Sequence, residues 1–320
     1  MKKALITGVK GQDGAYLAKL LLEKYEVHGA DIGSHKITIE ILIQDQITMH
    51  YMNLLDVNNV NAIIQKIMPD ELYNFAAQSS IVSFDKPIVT SDIDAMVVRI
   101  LEALRQYCPE CRFFQASSSE LFGNATETPQ TESTPFNPRN PYGVAKGYAH
   151  WITKNFRESY NMHVSSILYN HESPIRTNFV TRKITHAVAK ISKGKQDVLV
   201  LNINAERDRY APEYVQAMRL MLQQDTADDY ILATGKLHSV RDFVEKSFAH
   251  VISLEWSSVD EKVDTKTKTL VTISEEFYRP LDDSLLPLVN TSKAKEILGR
   301  EATDLDMLTK KMVEFDLSLL

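Results

Sequence analysis

The chain has no apolar run near the ~20 residues that a membrane-spanning helix needs. Its opening Met-Lys-Lys leads straight into a short apolar stretch, with no secretory hydrophobic segment between. These absences predict a protein that neither crosses a membrane nor carries an export signal, with the cytoplasm as its expected compartment. Cysteine is scarce: Cys108 and Cys111 are the only two, spaced Cys-Pro-Glu-Cys. A zinc site would need two more ligands nearby and a redox motif a thioredoxin-like setting, so reduced thiols at a helix-to-strand junction are expected, and no metal. Positive charge is not in excess. The 36 Lys and Arg face 42 Asp and Glu, a net charge of −6 that disfavours nucleic acid as the main partner. An anionic nucleotide can still be held by a local basic cluster. No internal repeat or low-complexity tract interrupts the sequence.

What is present is an ordinary globular composition, 44% hydrophobic and 24% charged over 320 residues, which allows a large α/β domain alone or with a smaller companion. Strand patterns at about 3–7, 25–31, 71–75, 111–117 and 163–169 alternate with helical patterns at 14–24, 57–67, 90–107 and 142–160. Such alternation predicts a doubly wound parallel sheet of the Rossmann type with right-handed crossovers. Past residue 170 the repeat dissolves into helices near 179–193, 212–223, 239–250, 291–298 and 304–317 with short strands between. The expected division is residues 1–169 for a dinucleotide-binding domain and mostly 170–320 for a second domain, partly interleaved with the first. The polar stretch 255–276 reads as an exposed loop or hairpin.

Two local patterns carry chemistry. The strand ending at Thr7 runs into Gly8, Gly11 and Gly14 and then a helical pattern. A strand, a glycine turn and a helix N-terminus together suit a pyrophosphate, because backbone N–H groups come close and the helix dipole favours negative charge; taken alone the triplet also fits a plain tight turn. Further on, Tyr142 and Lys146 follow a helix-starting Pro141, so both lie on one face of the first turns. An ammonium there lowers the pKa of the phenol and makes Tyr142 a candidate acid/base. An exposed, inactive pair has the same spacing.

Taken in order, the glycine turn, the Ser-rich strand end Gln115-Ala-Ser-Ser-Ser-Glu120 and Tyr142-x-x-x-Lys146 resemble the extended short-chain dehydrogenase/reductases. The block at 73–79 continues the resemblance, and those at 170–174, 178–185 and 278–280 bring it to the GDP-mannose 4,6-dehydratase family in particular. In that family a sugar is oxidised at C4, loses water across C5 and C6, and regains the hydride at C6. The resemblance implies Tyr142 as the base for the O4 proton, Lys146 as its helper and a ribose contact, Ser118 as a hydrogen-bond partner for O4, and Glu120 as the base for the C5 proton. Ser119 stands where dTDP-glucose dehydratases carry an Asp, which points to the GDP-sugar branch with Glu120 as both base and acid. Epimerases and 4-ketoreductases of this fold generally lack that Glu, and they remain the alternative enzymes. A catalytically silent NAD-binding protein is the alternative outside catalysis.

Cofactor contacts carried over are Gly8, Gly11, Gln12, Asp13 and Gly14 at the pyrophosphate, Asp31, Asn53 and Leu54 on the adenosine side, Ala76, Ala77 and Gln78 along the nicotinamide side, and His171 and Arg176 after the sixth strand. For the substrate they are Ser79, Ser118, Glu120, Asn170, Asn178, Lys183, Arg207 and Arg279, the last two bringing positive charge to the diphosphate. His171 also fits a packed core histidine, and the arginines fit surface ion pairs. Where relatives place arginines after the second strand, this chain has Asp31-Ile32-Gly33. A carboxylate there bonds ribose hydroxyls and repels a 2′-phosphate, so NAD is expected over NADP. Asn53 stands for an Asp near the adenine, and the remaining departures fall around the sugar pocket: a missing residue within Ala76–Phe84, another near Pro174–Asn178, and Arg209-Tyr210 for Trp-Gly. They leave GDP-mannose or a GDP-manno-heptose as the expected substrates. A homodimer through the helices at 90–107 and 142–160 is expected, and a tetramer is the alternative assembly.

Overall fold

The computed structural model describes residues 1–33, 46–77, 83–168, 173, 175, 179–196, 198–201, 211–233, 236, 238–252, 254–256, 261–264, 269–274, 289–299 and 304–320. The chain divides into two compact units, one of Met1–Tyr169, Ala211–Leu232 and Val289–Arg300, the other of Asn170–Tyr210, Ala233–Leu288 and Glu301–Leu320.

In the first unit, β1 (Lys2–Thr7) leads into α1 (Gln12–Leu21) and β2 (Tyr25–Asp31), then β3 (Thr48–Tyr51), α2 (Val57–Ile67) and β4 (Glu71–Asn74). Helices α3 (Pro87–Ala95) and α4 (Val97–Tyr107) precede β5 (Arg112–Ala116), and α5 (Pro141–Tyr160) precedes β6 (Val164–Leu168). The second unit opens with α6 (Val180–Ser192) and β7 (Leu199–Leu201). The chain returns to the first for α7 (Ala211–Met221) and β8 (Tyr230–Ile231), then enters the second again for α8 (Val240–Ala249), β9 (Leu254–Trp256), β10 (Glu261–Asp264) and β11 (Thr269–Ile273). Finally α9 (Ser292–Leu298) belongs to the first unit and α10 (Leu305–Ser318) to the second.

The first unit's sheet has the order β3-β2-β1-β4-β5-β6-β8, every neighbouring pair parallel. Parallel strands are covered on both faces, which is why β1 buries Ala4, Leu5 and Ile6 in succession instead of alternating. The strand order reverses between β1 and β4, so a crevice opens at the carboxyl ends of those two strands. Around the sheet, Val60 and Ile64 of α2, Ile100, Leu101 and Leu104 of α4 and Phe156 of α5 join Leu5, Leu72 and Phe113 in one core. In the second unit β7-β11-β10-β9 form a mixed sheet, and Leu270 and Val271 of β11 pack with α6, α8 and α10. The stretch expected as an exposed loop or hairpin does form antiparallel pairs, β9 with β10 and β10 with β11, but it is not wholly exposed, since Leu270 and Val271 are buried.

Helix boundaries follow local chemistry. Asp56 caps α2 by accepting from the Asn58 and Asn59 N–H groups, and Ser239 with Asp242 forms a reciprocal capping box on α8. The helix expected over 90–107 is two: it begins at Pro87 and is interrupted at Met96, which lies between α3 and α4. Cys108 follows the last turn of α4, and both cysteines are free and buried, their thiol pKa values pushed up by burial. Among the described residues no helix is long and apolar enough to cross a membrane.

The short strand β8 is held by charge. Asp229 accepts both forks of Arg157, with Nη1 at 3.1 Å from Oδ1, and also the Ser166 N–H at 3.0 Å. Removing the carboxylate leaves a largely buried guanidinium without its counter-ion. Asp229→Ala is expected to lower unfolding free energy by about 3–5 kcal/mol, read from urea unfolding followed by circular dichroism. A loss below about 1 kcal/mol, the size of an exposed ion pair, would show that the bridge does not hold β8.

Candidate active site

The glycine turn fits a pyrophosphate for geometric reasons. Gly8 has φ +65°, and a Cβ on it would lie 2.8 Å from the Ala76 nitrogen. A Cβ on Gly14, in the first turn of α1, would lie 2.6 Å from the Gly8 oxygen. The Gly11 N–H closes the turn on the Gly8 carbonyl at 2.9 Å, and Gly11, as the residue before α1, offers no side-chain cap. The open cradle thus sits at a helix N-terminus, where dipole and N–H groups favour an anion. Gln12 and Asp13 occupy the first helical turn, the Gln12 amide 3.3 Å from Asp13 Oδ1.

A buried polar chain fixes the strand ends around this cradle. Thr7 Oγ1 donates to Asn74 Oδ1, Asn74 Nδ2 to Gln115 Oε1 at 2.8 Å, and Gln115 Nε2 to the Ala116 carbonyl at 2.9 Å. Thr7 also receives the Phe75 N–H on its carbonyl, at 3.2 Å, and the Ala76 N–H on its hydroxyl, at 3.4 Å. Each of these three polar side chains is satisfied within the core, as burial demands, and together they tie β1, β4 and β5 where Ala76, Ala77 and Ser117 emerge. Sequence reasoning gave these residues no role, although polar side chains at the ends of three apolar strands were a visible signal.

Of the residues expected on the adenosine side, Asp31 ends β2. Its Oδ1 accepts the Gly33 N–H at 2.8 Å and faces the Lys10 ammonium at 3.9 Å. Asn53 is engaged locally: its Oδ1 accepts from the Leu55 N–H at 3.0 Å and its own N–H reaches Asn59 at 2.8 Å. Leu54 is buried in the core, its carbonyl taking the Arg99 guanidinium at 2.9 Å.

The four candidate catalytic residues converge at the end of β5 and the start of α5. Ser118 is buried and extended; its hydroxyl accepts the Glu120 N–H at 3.2 Å and so caps a single 3₁₀ turn, Ser119–Leu121. Asn140 caps α5 by accepting the Gly143 N–H at 2.7 Å, and its Nδ2 donates to Glu120 Oε2 at 2.9 Å. One amide thereby ties the Glu120 carboxylate to the helix that carries Tyr142. Pro141, at the first position of that helix, sets its direction with a φ already suited to it. Contact is close: a Cβ on Gly143 would lie 2.7 Å from the Glu120 carbonyl. Lys146 is only 2% exposed, its ammonium 3.1 Å from the Ala116 carbonyl and 5.6 Å from the centre of the Tyr142 ring. A buried cation beside a phenol favours the phenolate. Asn140 is a further residue that sequence reasoning missed; an Asn just before a helix-starting Pro signals a cap, but nothing in the sequence links it to Glu120.

Lys183 lies on α6 in the second unit and is exposed there. Gln78, Ser79, Asn170, His171, Arg176, Asn178, Arg207 and Arg279 fall outside the described residues.

The family model for GDP-mannose 4,6 dehydratase matches residues 5–312. GDP-mannose 4,6-dehydratase from Sinorhizobium fredii is 47% identical over 343 residues, covering 100% of this chain and 97% of the relative. The enzyme of that name from Dictyostelium discoideum is 46% identical, covering 99% and 96%. Among solved structures, UDP-glucose 4-epimerase from Brucella ovis in complex with NAD superposes with a TM-score of 0.79 at 19% identity, 99% of each chain covered. RMD from Pseudomonas aeruginosa complexed with NADPH gives 0.79 at 17% identity over 100% of both. At such identities the structural likeness carries the fold alone. The sequence matches run nearly end to end, so this chain belongs to the GDP-mannose 4,6-dehydratase family.

Proposed function

We propose that this protein is a hydro-lyase that converts GDP-mannose, or in its place a GDP-manno-heptose, into its 4-keto-6-deoxy derivative. The observation that carries the reading is the Asn140 bridge, which holds a carboxylate and a Tyr/Lys pair at one strand end. Full-length similarity to enzymes of that name supports the substrate.

Tyr142 takes the proton from O4 as C4 becomes a ketone, and Lys146 stabilises the resulting phenolate. Ser118 supplies a hydroxyl beside O4. The ketone acidifies the C5 proton, which Glu120 removes while the C6 hydroxyl departs; the proton then leaves with that hydroxyl as water. A nicotinamide held by the glycine turn would supply the hydride acceptor for C4 and the donor for C6, and the proton that Tyr142 took from O4 balances the one that C5 regains as hydride reaches C6. Net redox change is zero. Lys183, Asn178, Arg207 and Arg279 bind the nucleotide diphosphate in this reading, and Gln78, His171 and Arg176 the cofactor, with the second unit as the sugar-nucleotide domain.

The test is mass analysis of products from GDP-, UDP-, dTDP- and CDP-sugars. A product lighter than GDP-mannose by one water, formed without net use of nicotinamide, is expected. An isomer of unchanged mass would identify an epimerase, stoichiometric NADH oxidation a ketoreductase, and inertness towards every sugar a silent dinucleotide binder.

A homodimer completes the reading. Val144, Tyr148 and Trp151 lie along one face of α5, and Ile88 on α3, which packs against α5, is exposed with them. Apolar side chains at such spacing suit a helical interface with a second copy. Sedimentation at twice the chain mass is expected, and a monomer at micromolar concentration overturns it.

A further inference from the structure

The Lys10 ammonium sits 3.9 Å from Asp31, the residue expected to choose between NAD and NADP. We propose that Lys10 is a latent anchor for a 2′-phosphate, neutralised by Asp31, so that the pair and not Asp31 alone sets cofactor choice. This rests on the reading that the Gly8–Gly14 turn holds a nicotinamide dinucleotide.

The geometry gives three reasons. Lys10 lies inside the turn itself, between Gly8 and Gly11, and that turn is fixed by the Gly11-to-Gly8 hydrogen bond and the close approach of Gly14. The backbone that carries this cation is therefore fixed beside the end of β2. Its side chain is 22% exposed and that of Asp31 10%, so their interaction is shielded from water far more than a surface pair. Asp31 is the only anion that Lys10 meets among the described residues, at 3.9 Å. Asp31 in turn cannot swing clear without losing the Gly33 N–H that its Oδ1 accepts at 2.8 Å.

An arriving 2′-phosphate brings about −1.5 to −2 charges, and it would meet a fixed carboxylate first. With that carboxylate in place, Lys10 cannot serve the phosphate without abandoning its partner, and NAD wins. Without the carboxylate, a half-buried ammonium is left with no counter-ion, and a phosphate is the ligand that supplies one.

The experiment is a double-mutant cycle of Asp31→Ser, Lys10→Met and the double variant, with dissociation constants for NAD and NADP measured on nucleotide-free protein by calorimetry. Wild type is expected to bind NAD at least about tenfold more tightly than NADP. Asp31→Ser is expected to tighten NADP binding by about tenfold or more, and addition of Lys10→Met to remove most of that gain. NAD binding by each variant, retained even if weakened, reports that the turn is folded. A gain in NADP affinity that survives Lys10→Met, or no gain in an Asp31→Ser protein that still binds NAD, overturns the inference while leaving the dinucleotide site standing. Equal or tighter NADP binding by wild type overturns the masking role of Asp31 and the inference with it. Wild type that binds neither dinucleotide overturns the site reading and the inference together.

Discussion

Tyr142→Phe is expected to lower kcat by about 10²–10⁴-fold, the range that a positioned acid/base group supplies. The variant loses one oxygen and keeps the ring, so the contact of that ring with the Lys146 ammonium at 5.6 Å survives and the helix start is undisturbed. Loss of rate then reports proton transfer alone. The failure falls at the first step, before any hydride leaves C4, because an O4 proton with no acceptor keeps C4 an alcohol. In a single turnover with GDP-mannose, no absorbance is expected in the reduced-nicotinamide band, while cofactor affinity stays close to that of wild type. Turnover by the Phe variant within about tenfold of wild type, well above the expected range, would remove Tyr142 from the role of base.

Which of these parts could be read from the sequence follows from how local each one is. The first strand was legible because Ala4, Leu5 and Ile6 form a continuous apolar run, which a parallel strand covered on both faces requires. The start of α5 was legible from Pro141, and the shared face of Tyr142 and Lys146 from their spacing alone. The edge strand β3 was not. Thr48–Tyr51 is short and mostly exposed, and its strand character comes from pairing with β2, residue His28 opposite Thr48 through Asp31 opposite Tyr51. Likewise β8 has two residues, too few for any period; Arg157, far back in the chain, pins the aspartate just before it.

The same division runs through the site. Glycines at a strand-to-helix turn announce themselves, because only residues without a Cβ permit those 2.6 and 2.8 Å approaches. The Thr7-Asn74-Gln115 chain and the Asn140 bridge to Glu120 do not, since each joins residues that are distant in sequence. Lys10 facing Asp31 belongs to this second class. Asp31 alone was read as the determinant of cofactor choice because a sequence displays the strand end but not the cation folded over it.

Glu120→Gln is expected to separate oxidation from elimination. The amide preserves volume, its oxygen can still accept from Asn140 Nδ2, and the backbone N–H bond to Ser118 is untouched, so the 3₁₀ turn keeps its shape. What disappears is basicity. A neutral amide cannot take the C5 proton, and the C6 hydroxyl loses both the carbanion character that expels it and the acid that would protonate it. Overall turnover is therefore expected to fall by about 10²–10⁴-fold, with Tyr142 and Lys146 still competent for the first step. In a single turnover the reduced-nicotinamide band should rise and persist, in contrast to the Phe variant, and the sugar recovered by rapid quench should be lighter by two hydrogens with its C6 hydroxyl retained. A Glu120→Gln protein that releases water at the wild-type rate would assign the C5 proton to another base. One that shows no absorbance change at all would place Glu120 in the oxidation step, or in substrate binding, alongside Tyr142.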